Sequence, residues 1–251
     1  MKIPTLALLL CTAVFAELPS GKAILRKIDV NQRMGTDIKA RVVVTQKEVD
    51  QGTKVIEMMY YRRDSDNSFL IVMVAPPPEK GNGYLRVGDN FWMYRKNTRT
   101  FQHVNRDESI GGSDATAQDF ETRNLTELYT PAEDSAGGEI VGEEMLGRIP
   151  VYRMRVTARV RDVSYPEKIY WVRKESFLPL KEQAFSGSGT LMLTTYYLNY
   201  TEIDGRYVPV KQLYVDEFEK GNKTIVEISG ISLEELDDAI FTKAYLENLS
   251  K

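Results

Sequence analysis

"SFLIVMVAPPPEKGNGYLRVGDNFWMY", residues 68–94, decides how this chain folds. Residues 69–74 are apolar without a break. In a strand, successive side chains point to opposite faces, so Phe69, Ile71 and Met73 oppose Leu70, Val72 and Val74. Pro76, Pro77 and Pro78 end the run, and Lys80 to Gly83 turn the chain. Gly88, Asp89 and Asn90 then turn a short hairpin, whose second strand sets Trp92 and Tyr94 against Phe91 and Met93. A sheet covered on one side alternates apolar and polar residues. This stretch does not, so both of its faces need cover. One face borders either an ordinary core or a space for a guest.

Outward from this stretch the pattern is repeated. In "IKARVVVT", Ile38, Ala40, Val42 and Val44 share a face. "KVIEMMYYRR", 54–63, is the next strand, and "SDNS" turns it into 69–75, which makes an antiparallel meander. In "VYRMRVTARVR", 151–161, Tyr152, Met154 and Val156 oppose Arg153, Arg155 and Arg159. A hairpin is expected about residues 174–176, and another at Asp204-Gly205, a strong type I′ signal. The count is about ten or eleven strands in a large antiparallel sheet or incomplete barrel. Helices are expected over 20–30, capped by Ser20, over 114–128, capped by Asp114 or Ser113, and over 239–249. A capping-box-like Ser232-Leu233-Glu234-Glu235 precedes the last of these.

Composition narrows the function classes. The formal net charge of −3 argues against a general nucleic-acid binder, which needs a basic excess. Met1-Lys2, the apolar run "LALLLCTAVF" and Val14-Phe15-Ala16 read as a secretory signal peptide over residues 1–16, cut after Ala16. That run is shorter than the roughly 20 residues of a membrane span. The mature protein, 17–251, is then expected as one non-spanning domain outside the cytoplasm. Cys11 is the one cysteine; a lipidation motif there is off-pattern, because Leu10 is bulky. With cleavage after Ala16 no thiol chemistry remains.

The catalytic inventory is thin. His103 is the single histidine, so a histidine cluster for zinc cannot form. As a lone base it would need a convergent partner; the plainer reading is a polar strand residue. Nucleophile elbow, P-loop and H-E-x-x-H motifs are missing from the sequence. The expectation is a non-enzyme with neither cofactor nor metal. The arginine face of 153–161 reads as a solvated sheet face paired with acids such as Glu139 to Glu144. Met58, Met59, Met73, Met93, Met154 and Met192 all fall in expected strands. Flexible thioethers suit a surface that adapts to apolar guests, and they also fill gaps in a core.

The runs "APPPEKGNGYLRVGDNFWMYRKNTRTFQHV", "GGSDATAQDF", "FLPLKEQAFSGSGTLMLTTYYLNYTEIDGRYVP" and "AIFTKAYLENL" resemble the LolA-like outer-membrane lipoprotein-sorting proteins, in particular a longer subgroup of them. The resemblance covers most of the mature chain. It implies a curved antiparallel half-barrel, mainly β, closed by a helical lid, with 114–128 as part of the lid. It also implies a periplasmic carrier or chaperone that holds the acyl chains of lipoproteins, or related lipids, for transport towards the outer membrane. An inner-membrane transporter complex and an outer-membrane acceptor would be its partners. The alternatives are an RseB-like envelope-stress sensor with a membrane-anchored protein partner, and an extracytoplasmic enzyme.

Candidate lining residues of the implied apolar cavity are Val42, Val44, Met58, Tyr60, Ile71, Met73, Trp92, Tyr94, Phe120 and Met154. Arg41 is the nearest match to the early-strand arginine that holds the lid in this family. Ala115 stands where the subgroup has an aromatic residue. A register error of one residue would exchange the two faces of any strand.

Overall fold

The computed structural model describes residues 17–105, 108–113, 115, 116, 120 and 124–249. The expected signal peptide and the Asp114 cap lie outside the described residues. The chain opens with helix α1, Gly21–Gln32. Ser20 caps it, its hydroxyl accepting from the Ala23 N–H at 3.2 Å, and Ile24, Leu25 and Ile28 are buried on one side.

Six strands follow as a meander: β1 (Asp37–Glu48), β2 (Gly52–Arg63), β3 (Ser68–Ala75), β4 (Gly83–Val87), β5 (Asn90–Arg95) and β6 (Thr100–His103). After the short helix α2 (Leu125–Leu128) come β7 (Tyr129–Pro131), β8 (Val141–Leu146), β9 (Ile149–Ala158), β10 (Glu167–Arg173) and β11 (Pro179–Phe185). The sheet is completed by β12 (Leu191–Ile203), β13 (Arg206–Asp216) and β14 (Lys223–Ser232). The chain ends in a 3-10 turn, Asp238–Phe241, and helix α3, Lys243–Leu249.

The fourteen strands among the described residues all belong to one antiparallel sheet, in the order β6-β5-β4-β3-β2-β1-β14-β13-β12-β11-β10-β9-β7, with β8 also paired to β9. β14 pairs with β1, so the two meanders join into a single curved and unclosed sheet. The count exceeds the expected ten or eleven by three or four, two of them β6 and β7, whose four and three residues are too short to show a period. The Asp204-Gly205 turn is as read: both residues have positive φ, 51° and 71°, as type I′ requires. Ser232 does not cap a helix; it ends β14, and Asp237 caps the 3-10 turn through the Ala239 N–H at 2.8 Å.

Helix α1 defines the inner face. It touches both β13 and β7, which stand five places apart in the sheet, so the sheet must bend around it. Under α1 lie Met154, Val156, Tyr170 and Val172 of β9 and β10. The outer face of the first meander is covered as well. There Tyr61, Leu70, Val72, Leu85 and Tyr94 pack against Leu236, Phe241 and Leu246 of the C-terminal segment. Gly83 permits this approach, since a Cβ there would stand 2.4 Å from the Ile71 carbonyl oxygen and 2.7 Å from Leu246 Cδ1. Arg63 fastens the same segment by pairing with Asp37 and Asp238 and stacking over the Phe241 ring at 4.7 Å. This is why residues 69–73 are apolar on both sides: one side meets the interior and the other the C-terminal segment, while Val74, at the end of the run, is exposed.

The arginine face of β9 pairs with acids, Arg155 with Glu167 at 2.8 Å and Arg153 with Glu144 at 3.9 Å. His103 is exposed and stands beside Trp92, with ring centroids 5.0 Å apart.

Candidate ligand-binding cavity

Cross-strand register carries the inner face through the sheet. Met154 opposes Tyr170, Tyr170 opposes Glu182, Glu182 opposes Thr195, and Thr195 opposes Tyr214. Gln212, two residues from Tyr214 and on the same face, opposes Val226; Val226 opposes Val44, and Val44 opposes Ile56. Val42 opposes Met58, Met58 opposes Met73, and Tyr60 opposes Ile71. Val42, Val44, Met58, Tyr60, Ile71, Met73 and Met154 therefore share the inner face.

All but Met154 pack in one buried cluster with Phe120, while Met154 lies under α1. Trp92 and Tyr94 stand apart. Ile71 opposes Tyr84 and Tyr84 opposes Met93, so Phe91 and Met93 turn inward and Trp92 and Tyr94 turn to the outer, helix-covered face. Alternation could not separate these faces, because both are apolar.

Phe120 is the piece laid over the inner face. Tyr60 Oη donates to its carbonyl oxygen at 2.6 Å, and the two rings meet edge to face with centroids 5.3 Å apart. Of the expected 114–128 helix, the described part holds α2 alone. α2 is fixed to α1 by Asp29, whose carboxylate accepts from the Leu125 N–H at 2.6 Å, the Thr126 N–H at 3.1 Å and the Thr126 hydroxyl at 2.7 Å.

Between Phe120 and the sheet is a small, partly open cavity of about 80 Å³, bounded by Ala40, Tyr60, Ala115, Val226, Ile228 and Ile231 among others. Its surroundings are mostly apolar. Arg62 is the charged exception. It alternates with Met58 and Tyr60 on β2 and so faces inward, where it pairs with Asp64 at 2.8 Å. Burial works against its charge, and the neighbouring Tyr60 and Asp64 more than restore it. Arg41 does not face Phe120. It alternates outward between Ala40 and Val42 and pairs with Glu57 in solvent. The inward early-strand arginine is Arg62, and its period-two spacing from Met58 and Tyr60 was the signal for it.

A second compartment of about 210 Å³ adjoins the first and shares Pro209, Gln212 and Tyr214 with it. It is polar. Lys168 Nζ pairs with Glu182 Oε1 at 2.6 Å, and Tyr197 Oη donates to Glu182 Oε2 at 3.1 Å. Burial works against the Lys168 charge, but Glu182, Tyr170 and Tyr129 together outweigh it and hold the ammonium well above its usual value. Burial first, and the Glu182 charge second, push the Tyr170 and Tyr197 hydroxyls well above theirs. Sequence reading missed this compartment. Its one trace is a lysine at the start of the face Lys168-Tyr170-Val172, which is otherwise apolar and aromatic.

Among the described residues, no group of three or more His, Cys, Asp or Glu side chains could hold a metal ion, and no helix is long and apolar enough to cross a membrane.

The architecture has solved relatives. A LolA superfamily protein from Nitrosomonas europaea, 22% identical, superposes with a TM-score of 0.76 over 91% of this chain and 100% of its own. An outer membrane lipoprotein-sorting protein domain from Vibrio parahaemolyticus, 16% identical, gives 0.78 over 90% of this chain and 98% of its own. A DUF1329 family protein from Desulfovibrio piger, 20% identical, gives 0.77 over 90% and 97%. No curated protein matches the chain. A family model described as "-like: Uncharacterized protein" matches residues 65–248. The chain thus belongs to that family, and its fold is the LolA-superfamily fold that the sequence resembles.

Proposed function

We propose that this protein is a periplasmic acyl-chain carrier, which shelters the lipid part of lipoproteins or of related lipids beneath the Phe120 segment. The apolar cavity between Phe120 and strands β1, β2, β13 and β14 carries the reading. Burying a chain there gives about 0.8 kcal/mol per methylene, so affinity needs no strong polar anchor and release needs only an opened cover. Cavities that bury drug-sized ligands run to about 300–1,000 Å³. At about 80 Å³ the apolar chamber is too small for an acyl chain, and Phe120 must swing away to make room for one. The sorting-domain relative supports the reading by sharing the fold. The solvated outer arginines and the exposed His103 leave the cavity as the feature to which a function attaches.

Mass spectrometry of ligands extracted from natively purified protein is the test. Co-purified lipid or acylated peptide supports the carrier. An empty protein that also fails to take up a fluorescent acyl probe ends the reading.

A further inference from the structure

Two side chains of the polar compartment, Lys168 and Gln212, carry more hydrogen-bond donors than their described contacts use. An ammonium carries three donors. Among the described residues, the Lys168 ammonium meets Glu182 Oε1 at 2.6 Å and the face of the Tyr129 ring at 5.4 Å. Gln212 offers its amide N–H₂ as well, because its Oε1 already accepts from the Tyr214 hydroxyl at 3.2 Å. Each Glu182 oxygen already accepts one donor, Oε1 from Lys168 and Oε2 from Tyr197.

The compartment is also neutral overall. Lys168 and Glu182 cancel, and both are largely shielded from solvent, with side-chain exposures of 18% and 9%. A guest carboxylate would add a buried negative charge beside Glu182, whose field already raises the nearby tyrosines. A neutral acceptor meets no such penalty. The acceptor must also sit at the end of an apolar chain, because Gln212 and Tyr214 border both compartments.

We propose that the Lys168–Glu182 compartment is a subsite for the ester or amide carbonyls at the neck of an acyl lipid, while the chain fills the apolar chamber. This rests on the acyl-carrier reading and specifies its ligand as a neutral, ester-linked lipid rather than a free fatty acid. Lys168 and the Gln212 amide donate to the carbonyl oxygens. Glu182, held by the tyrosines, keeps the ammonium charged and aimed.

The test is displacement of a fluorescent acyl probe at neutral pH by three competitors. Monopalmitoylglycerol carries the carbonyl, its ether analogue hexadecylglycerol lacks it, and palmitate carries a charge. A hydrogen bond to a charged donor implies that the ester competes about tenfold or more better than the ether. In the double variant Lys168→Met with Glu182→Gln, both ligands still bind and the ratio falls to one. Removing both charges avoids the stranded buried ion of a single change. If the double variant does not fold, the ratio in the unaltered protein decides.

Equal competition by ester and ether in the unaltered protein overturns the subsite and leaves the acyl cavity standing. Palmitate outcompeting the ester overturns it too. Failure of the probe itself to bind overturns the carrier reading beneath it.

Discussion

Tyr60 holds Phe120 twice, by a 2.6 Å hydrogen bond from its hydroxyl to the Phe120 carbonyl and by an edge-to-face ring contact at 5.3 Å. These contacts are the latch between the sheet and Phe120 over the cavity. Tyr60→Phe removes the hydrogen bond and keeps the ring. A net loss of about 0.5–1.5 kcal/mol of stability is expected. Stopped-flow mixing with an acyl probe is expected to show faster entry, and unchanged entry with unchanged stability would remove the latch from the account.

The outer face gives the opposite expectation. Leu246 is fully buried against the outer side of the first meander. Leu246→Ala is expected to cost about 2–5 kcal/mol in denaturant unfolding, as for other buried leucines. Gly83→Ala is expected to be destabilising as well, because its Cβ would meet backbone at 2.4 Å. Neither site touches the cavity, so acyl affinity of the folded fraction stays as it was. A selective loss of affinity would place the ligand on the outer face instead.

How much of this was legible can be read from individual residues. The period-two runs of β1, β2, β3 and β9 gave the meander and the sheet, and Ser20 and Asp204-Gly205 gave a helix start and a turn that the structure contains. Faces were legible where an inward apolar residue alternates with an outward charge, as Val42 does with Arg41. They were not legible at Phe91 to Tyr94, where aromatics fill both sides and the partner of each side is set by register and by a helix some 150 residues later. The Lys168–Glu182 pair was hidden for a different reason. Its members lie on neighbouring strands, fourteen positions apart, and a lysine beside a carboxylate reads as surface until the sheet is seen to bend over it.

Asp29 supplies a second testable joint. Its carboxylate sits on α1 and accepts the two leading N–H groups of α2. Asp29→Ala leaves those donors without their partner and frees α2 from α1. Hydrogen exchange at Leu125 and Thr126 is expected to quicken at least tenfold, following the ~1–3 kcal/mol cost of lost hydrogen bonding to a charged group. Asp29→Asn, which keeps an acceptor, is expected to restore part of the protection.

Tyr170, which is buried, and Tyr197 and Tyr200, which are half-buried, bear on the alkaline limit of stability. Tyr170, Tyr197 and Tyr200 have folded pKa values raised well above the ordinary 10.0, first by burial. Lys168 is raised too, because Glu182, Tyr170 and Tyr129 together outweigh burial. In each case the folded state holds its proton more tightly than the unfolded chain. Their contribution is complete below the unfolded values and is lost as pH climbs from about 10 through the folded values. Tyrosinate absorbance and far-ultraviolet dichroism recorded together check this. The expected result is that the last tyrosines ionise only as the sheet unfolds; their ionisation in an intact sheet would contradict the burial described.

The most direct test of the acyl cavity is the dissociation constant of a fluorescent acyl probe for Ile228→Trp. Ile228 is half-buried, stands opposite Val42, and borders the chamber. An indole there fills space without breaking a hydrogen bond. The account predicts a thermal midpoint close to that of the unaltered protein and affinity at least tenfold weaker. Affinity equal to that of the unaltered protein, in a variant that folds, would contradict it.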